Sequence, residues 1–174
     1  MTVEIASAII GRIMRSTRVA SFGNGAGGPP HERCGLLLGR GQTIIRADET
    51  KNVSLTPATH FEIDPVALLT AHRNARLPRS LALLGYFHTH LTPSCQPSAT
   101  DAALAVPDGR LWLIVTSRSA ALWQAVPNGQ IFGKFNPVRF NLKVGKRLEM
   151  GIDRIVHPDV GQSFGVRLEQ GNEF

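Results

Sequence analysis

A chain of 174 residues, 43% apolar and 18% charged, has room for one hydrophobic core, and this composition excludes a wholly disordered protein. Its net charge of +6 lies entirely in residues 1–140, which hold 14 Lys/Arg against 8 Asp/Glu, while residues 141–174 hold five of each. Those basic residues are spread without aromatic interleaving, so no nucleic-acid partner is expected, and no run approaches 18 apolar residues, so no helical membrane span is expected either.

The first stretch, residues 3–16, places Val3, Ile5, Ala6, Ile9, Ile10, Ile13 and Met14 at helical spacing and predicts an amphipathic helix. It has no basic start, clean apolar run and cleavage site, so the expected location is the cytoplasm. Residues 21–30, "SFGNGAGGPP", form a glycine-rich loop. "CGLLLGRG" reads as a short buried strand, "TIIRADETKNVS" as one strand or two, and "THFEID" as another. Asp64-Pro65 opens a helix that ends before Pro78, because aspartate caps and proline suits the first helical position.

"SLALLGYFHTH" is a largely apolar run of the kind found in central strands. A second helix begins at Pro97-Ser98, and "RLWLIVTS", "AALWQAVP" and "GQIFGKFNPVRF" read as antiparallel strands joined by hairpins. The expected fold class is therefore α/β (α+β), a mixed β-sheet sandwiched by helices. Two units are expected, a domain over 1–140 and a glycine-dotted extension over 141–174 of unknown role. Cys34 and Cys95 form no metal-binding cluster and are expected to be reduced.

The chemistry concentrates in "GYFHTHLTPSCQPSATD", residues 85–101. On a strand, residues two apart share a face, so His88 and His90 present two imidazoles side by side with Thr89 turned away. Asp101 is the nearest carboxylate. Two histidines and one aspartate with an open position match a catalytic zinc site better than a closed structural one. A plainer reading stands beside it: Ser98-Ala99-Thr100-Asp101 also fits a helix-capping pattern. Hydrolysis further needs a carboxylate near the metal but not bound to it. Among Glu32, Glu49 and Glu62, Glu32 stands out, because it sits where the glycine-rich loop enters the "CGLLLG" strand. As a bare strand-end acid it would need no function.

"HERCGLLLG" followed by H-x-H, seven residues, S-x-x-D resembles the JAMM (JAB/MPN) metalloprotease family, and the small single-domain bacterial members in particular. The resemblance covers roughly residues 3–140. It implies the MPN/cytidine-deaminase-like form of the sheet and one Zn2+ per chain, with His88, His90 and Asp101 as ligands. It implies Glu32 as general base and then acid, and Ser98 as a donor to the developing oxyanion. The one departure is Leu91, where the family usually has proline. The implied activity is hydrolysis of a peptide or isopeptide bond at the tail of a ubiquitin-like or sulfur-carrier protein ending in Gly-Gly, with E1-like or E2-like enzymes as pathway partners. The alternative is a noncatalytic MPN-type protein-binding module. A zinc deaminase is excluded by the lack of H-x-E and a later P-C-x-x-C.

Overall fold

The computed structural model describes residues 1–21, 29–143 and 154–155. Most of the glycine-rich loop and most of the 141–174 extension lie outside the described residues. The chain opens with strand β1 (Thr2–Ala6) and helix α1 (Ser7–Ser21), followed by strands β2 (Cys34–Arg40) and β3 (Thr43–Thr50). Helix α2 (Pro65–Asn74), strand β4 (Ala82–Thr89) and helix α3 (Ala99–Leu104) come next. Strands β5 (Leu111–Val115), β6 (Ser119–Gly129), β7 (Gly133–Lys143) and the two-residue β8 (Arg154–Ile155) complete the described chain.

The strands form one mixed sheet in the order β5-β4-β2-β3-β1-β7-β6-β8, and an added β5–β6 pairing closes it on itself. β4 pairs antiparallel with β2 and parallel with β5, so it is a central strand, as its apolar run predicts. β5, β6 and β7 form the expected antiparallel run. β7 continues to Lys143, and β8 pairs parallel with β6 at Ser119 and Ala120.

Two cores lie on the two faces of this sheet. On one, Ile9, Ile10, Ile13 and Met14 of α1 pack where buried residues of β1 to β7 converge, Leu37, Phe87 and Leu122 among them. On the other, Cys34, Phe61, Ala102, Trp112, Trp123 and Phe135 join β2, β4–β7, α3 and the segment before α2. The helices thus flank a mixed sheet, in agreement with the expected class. Both cysteines are free and buried.

Two expected elements differ. The predicted helix over 3–16 is a strand followed by a helix: Val3 and Ile5 are fully buried on alternate positions and pair with β7. Val3 and Ile5 alternate while Ile5, Ile9, Ile10 and Ile13 repeat at helical spacing, and tertiary pairing settles where the first pattern gives way to the second. "THFEID" is not a strand. It carries one isolated bridge, between Asn52 and Ile63, flanked by Val53 N donating to Glu62 O and Asp64 N donating to Lys51 O. Before it the chain turns on Thr56 O, and His60 O and Glu62 N bond the Asn52 side chain instead of a neighbouring strand.

Candidate metal centre

β4 delivers both histidines. His88 lies near its end, and His90 follows directly, with its N–H donating to the Val115 carbonyl at 3.0 Å to extend the β4–β5 pairing. The two rings share a face, as strand geometry requires, with Nε2 atoms 3.0 Å apart. Thr89 faces the opposite way and is fully buried. Its Oγ1 accepts from Arg33 N at 2.9 Å while its N–H donates to Arg33 O at 2.9 Å, a two-point clasp between β4 and the residue after Glu32.

Asp101 reaches the histidines from the first turn of α3. Its Oδ1 lies 3.2 Å from His88 Nε2 and its Oδ2 lies 3.4 Å from His90 Nε2. One ligand atom from each of the three residues falls within a 4.8 Å cluster, and all three residues are buried. Ser98 is the N-cap of α3 and forms a reciprocal capping box with Asp101, so the capping pattern and the metal-ligand pattern describe the same side chains. Both Ser98 N and Ser98 Oγ donate to Asp101 Oδ2, leaving Oδ1 as the oxygen with spare capacity.

Two of the three protonation states suit a cation. Burial lowers the pKa of His88 below the usual imidazole value. At Asp101 burial acts upward but is outweighed by the bonds to His88 and His90, which hold the carboxyl well below the usual range. At His90 burial acts downward and is outweighed by the bonds to Asp101 and the Ser94 carbonyl, so its pKa is raised. His90 Nδ1 lies 2.8 Å from Ser94 O, an acceptor that places the ring proton on Nδ1 and frees the Nε2 lone pair toward the centre. Metal ligation requires neutral imidazoles and an ionised carboxylate, so His90, whose pKa the Asp101 bond holds up, gives up a proton when an ion binds. The residues therefore fit a small divalent ion of the zinc type.

Aromatic packing fixes the remaining ring. Phe61 stacks on His88 with centroids 4.2 Å apart and planes within 16°, and Trp112 meets both rings edge-on. His88 Nδ1 is buried without a hydrogen-bond partner, so the ring is oriented by this stacking and not by a polar outer contact. The loop between His90 and Ser98 is pinned from below. Trp123 Nε1 donates to Cys95 O at 2.9 Å, and Cys95 Sγ lies 3.2 Å from Ser119 Oγ. Leu91, where the resemblance usually has proline, is half-buried in this loop and displaces no ligand.

Glu32 lies beside the trio and is buried, 8% exposed. Burial pushes its carboxyl up to about 7, with the His90 charge opposing and the Asp101 charge adding to the rise. All five residues singled out from the sequence thus come to one place. Sequence reasoning missed Thr89, Phe61, Ser94 and Asn52, whose side chain bonds the Glu32 carbonyl. Only Thr89 had a readable signal, as the alternate position between two face-sharing histidines.

The family described as prokaryotic homologs of the JAB domain, Prok-JAB, matches residues 4–127. The chain belongs to the Prok-JAB family. This Prok-JAB chain is 35% identical over 94 residues to a protein of Haloferax volcanii named desampylase, covering 51% of the chain and 65% of that relative. It is 30% identical over 87 residues to a desampylase of Pyrococcus furiosus, covering 50% of the chain and 61% of the relative. The matched part therefore spans somewhat under two thirds of either relative's length. The Prok-JAB chain also resembles the solution structure of a Desulfitobacterium hafniense protein, with a TM-score of 0.64 and 25% identity over 83% of this chain and 94% of that one.

Proposed function

We propose that this Prok-JAB chain is a zinc-dependent peptidase that hydrolyses a peptide or isopeptide bond at the C-terminal tail of a ubiquitin-like or sulfur-carrier protein. The observation that carries the reading is the convergence of His88, His90 and Asp101 beside a buried carboxyl with a raised pKa. Such a pairing of a metal-ligand cluster with a perturbed acid is the signature of a hydrolytic site. The two relatives named desampylase support this reading.

When bound, the zinc ion supplies Lewis-acid polarisation of the scissile carbonyl and acidifies nearby water. The chain's own groups do the rest. His88, His90 and Asp101 would hold the ion. Glu32 takes the proton of the attacking water and hands it to the leaving amine, a task suited to a carboxyl whose pKa lies near neutrality. Ser98 Oγ turns from Asp101 toward the carbonyl oxygen as negative charge develops there, while Ser98 N keeps its bond to Asp101. An apolar groove of about 340 Å³ lies on the other side of Phe61 and Trp112, the rings that wall in His88.

The experiment measures metal content and hydrolysis together, in the native chain, Asp101→Ala and Glu32→Gln. The substrate is a ubiquitin-like protein joined through its Gly-Gly terminus to a fluorescent lysine peptide. The reading expects about one zinc per chain in the native protein and in Glu32→Gln and little in Asp101→Ala, with cleavage slowed roughly 100-fold or more in Glu32→Gln and lost in Asp101→Ala. A native protein that neither carries nor takes up zinc overturns it and leaves a noncatalytic binding module.

A further inference from the structure

Both main-chain groups of Glu32 bond outside the sheet. Its N–H donates to Pro57 O at 2.7 Å, and its carbonyl accepts from Asn52 Nδ2 at 2.9 Å. β2 starts only at Cys34, so Glu32 hangs on the segment between β3 and α2. One residue later the attachment changes: Arg33 is clasped by Thr89 on the strand that carries the histidines.

Asn52 organises that segment. Its Nδ2 donates to Glu32 O and to His60 O at 3.0 Å, and its Oδ1 accepts from Ser54 N and Glu62 N, each at 3.0 Å. Two donors and two acceptor lone pairs are the whole capacity of an amide, and all four are in use. An aspartate of the same shape would set an oxygen against two carbonyls and lose both donated bonds. Asn52 is half-buried, and its main chain also bridges to Ile63. Phe61, the ring that stacks on His88, lies within the same segment. One amide thus connects the residue proposed as base, Glu32, to the stretch that orients a metal-facing histidine.

We infer that Asn52 is a positioning residue for Glu32, holding the main chain of that residue at the height its carboxylate needs beside the His88, His90 and Asp101 cluster. This rests on the proposed reaction, in which Glu32 moves the proton. Misplacing a catalytic group by about 1 Å can cost roughly 100-fold in rate. Asn52 bonds none of the proposed metal ligands, which are mounted at the end of β4 and on α3, and it reaches His88 only through the Phe61 stretch.

The test compares native protein, Asn52→Asp, Asn52→Ala, Glu32→Gln and the double variant Glu32→Gln/Asn52→Ala, all loaded with zinc, on the Gly-Gly isopeptide probe. The expected result is a 10- to 100-fold fall in kcat for both Asn52 variants, with KM within threefold and zinc content unchanged. In the Glu32→Gln background the Asn52 change should remove nothing further, because the group it positions is already gone. Native kcat in Asn52→Ala, or an equal loss in both backgrounds, overturns the inference. Native turnover in Glu32→Gln instead overturns the proposed reaction. If the native chain leaves the probe uncut, that result counts against the reaction, and amide hydrogen exchange then decides the mount. Exchange at Glu32 should rise at least tenfold in Asn52→Ala while Arg33 and Thr89 stay native, and an unchanged Glu32 amide sinks it.

Discussion

Ser98 and Asp101 grip each other through three hydrogen bonds: Ser98 N and Oγ donate to Asp101 Oδ2 at 2.6 and 2.7 Å, and Asp101 N donates to Ser98 Oγ at 3.1 Å. The grip starts α3 and also aims Oδ1 at His88. Ser98→Ala removes the hydroxyl from both tasks. The cap alone is worth about 1 kcal/mol. Loss of an outer partner of a ligating carboxylate typically weakens metal binding 10- to 100-fold. Competition against a zinc chelator should show that weakening, whereas an unchanged affinity would reduce the serine to a cap.

How far the sequence led depended on what kind of physics each feature obeyed. The cluster of His88, His90 and Asp101 was legible because H-x-H and S-x-x-D are local patterns whose geometry follows from strand and helix periods. Asp64-Pro65 gave α2 for the same reason: the aspartate caps by accepting from Val66 N at 2.9 Å. The β1–α1 boundary was hidden because the alternation of Val3 and Ile5 runs straight into the helical spacing of Ile5, Ile9 and Ile13, and pairing with β7 set where one ends. The closure of the sheet through β5–β6 depends on long-range register that no short motif encodes. Asn52 was hidden more deeply, because its four partners, residues 32, 54, 60 and 62, become neighbours only after folding.

Thr89 tests whether the clasp between β4 and Arg33 is needed. Thr89→Val keeps the shape but removes the oxygen that accepts from Arg33 N. Leaving a buried donor without its acceptor costs roughly 1–3 kcal/mol. Chemical denaturation should show a loss of that size, while Thr89→Ser, which keeps the oxygen, should lie much closer to native. A Thr89→Val protein as stable as native would mean that the Arg33 amide finds water instead.

Glu32 makes the stability of the metal-free protein fall with pH. Its folded pKa of about 7 is above the ordinary 4.5, so the folded state holds the proton more tightly than the unfolded one. That contribution is fully present below pH 4.5 and is lost as pH rises through about 7. A difference of two to three units corresponds to roughly 3 kcal/mol. Glu32→Gln carries a neutral side chain at every pH and isolates the effect from the histidines and Asp101. The native and variant proteins should be similar in stability near pH 4.5, with the variant pulling ahead by pH 8. Zinc should shrink the gap, since a cation nearby favours the carboxylate. Urea midpoints across that range measure it, and parallel curves for the two proteins would contradict it.

Gly85 lies three residues before His88, on β4 beside β5. It pairs with Leu111, and a Cβ built on it would overlap the Leu111 carbonyl oxygen and main chain. Backbone cannot yield as a side-chain tip can, so Gly85→Ala must part the two strands that set the position of both histidines. Overpacking of this kind costs about 1–3 kcal/mol or more. Gly11, within α1, provides the matched comparison: a Cβ there meets only the Arg15 guanidinium at 3.6 Å. Gly11→Ala should gain roughly 0.5–1 kcal/mol, since alanine is the better helix former. Thermal melts should therefore move in opposite directions for the same chemical change. Zinc content should fall in Gly85→Ala and stay native in Gly11→Ala. Full zinc in a destabilised Gly85→Ala would show that the histidine pair holds its geometry without the β4–β5 register.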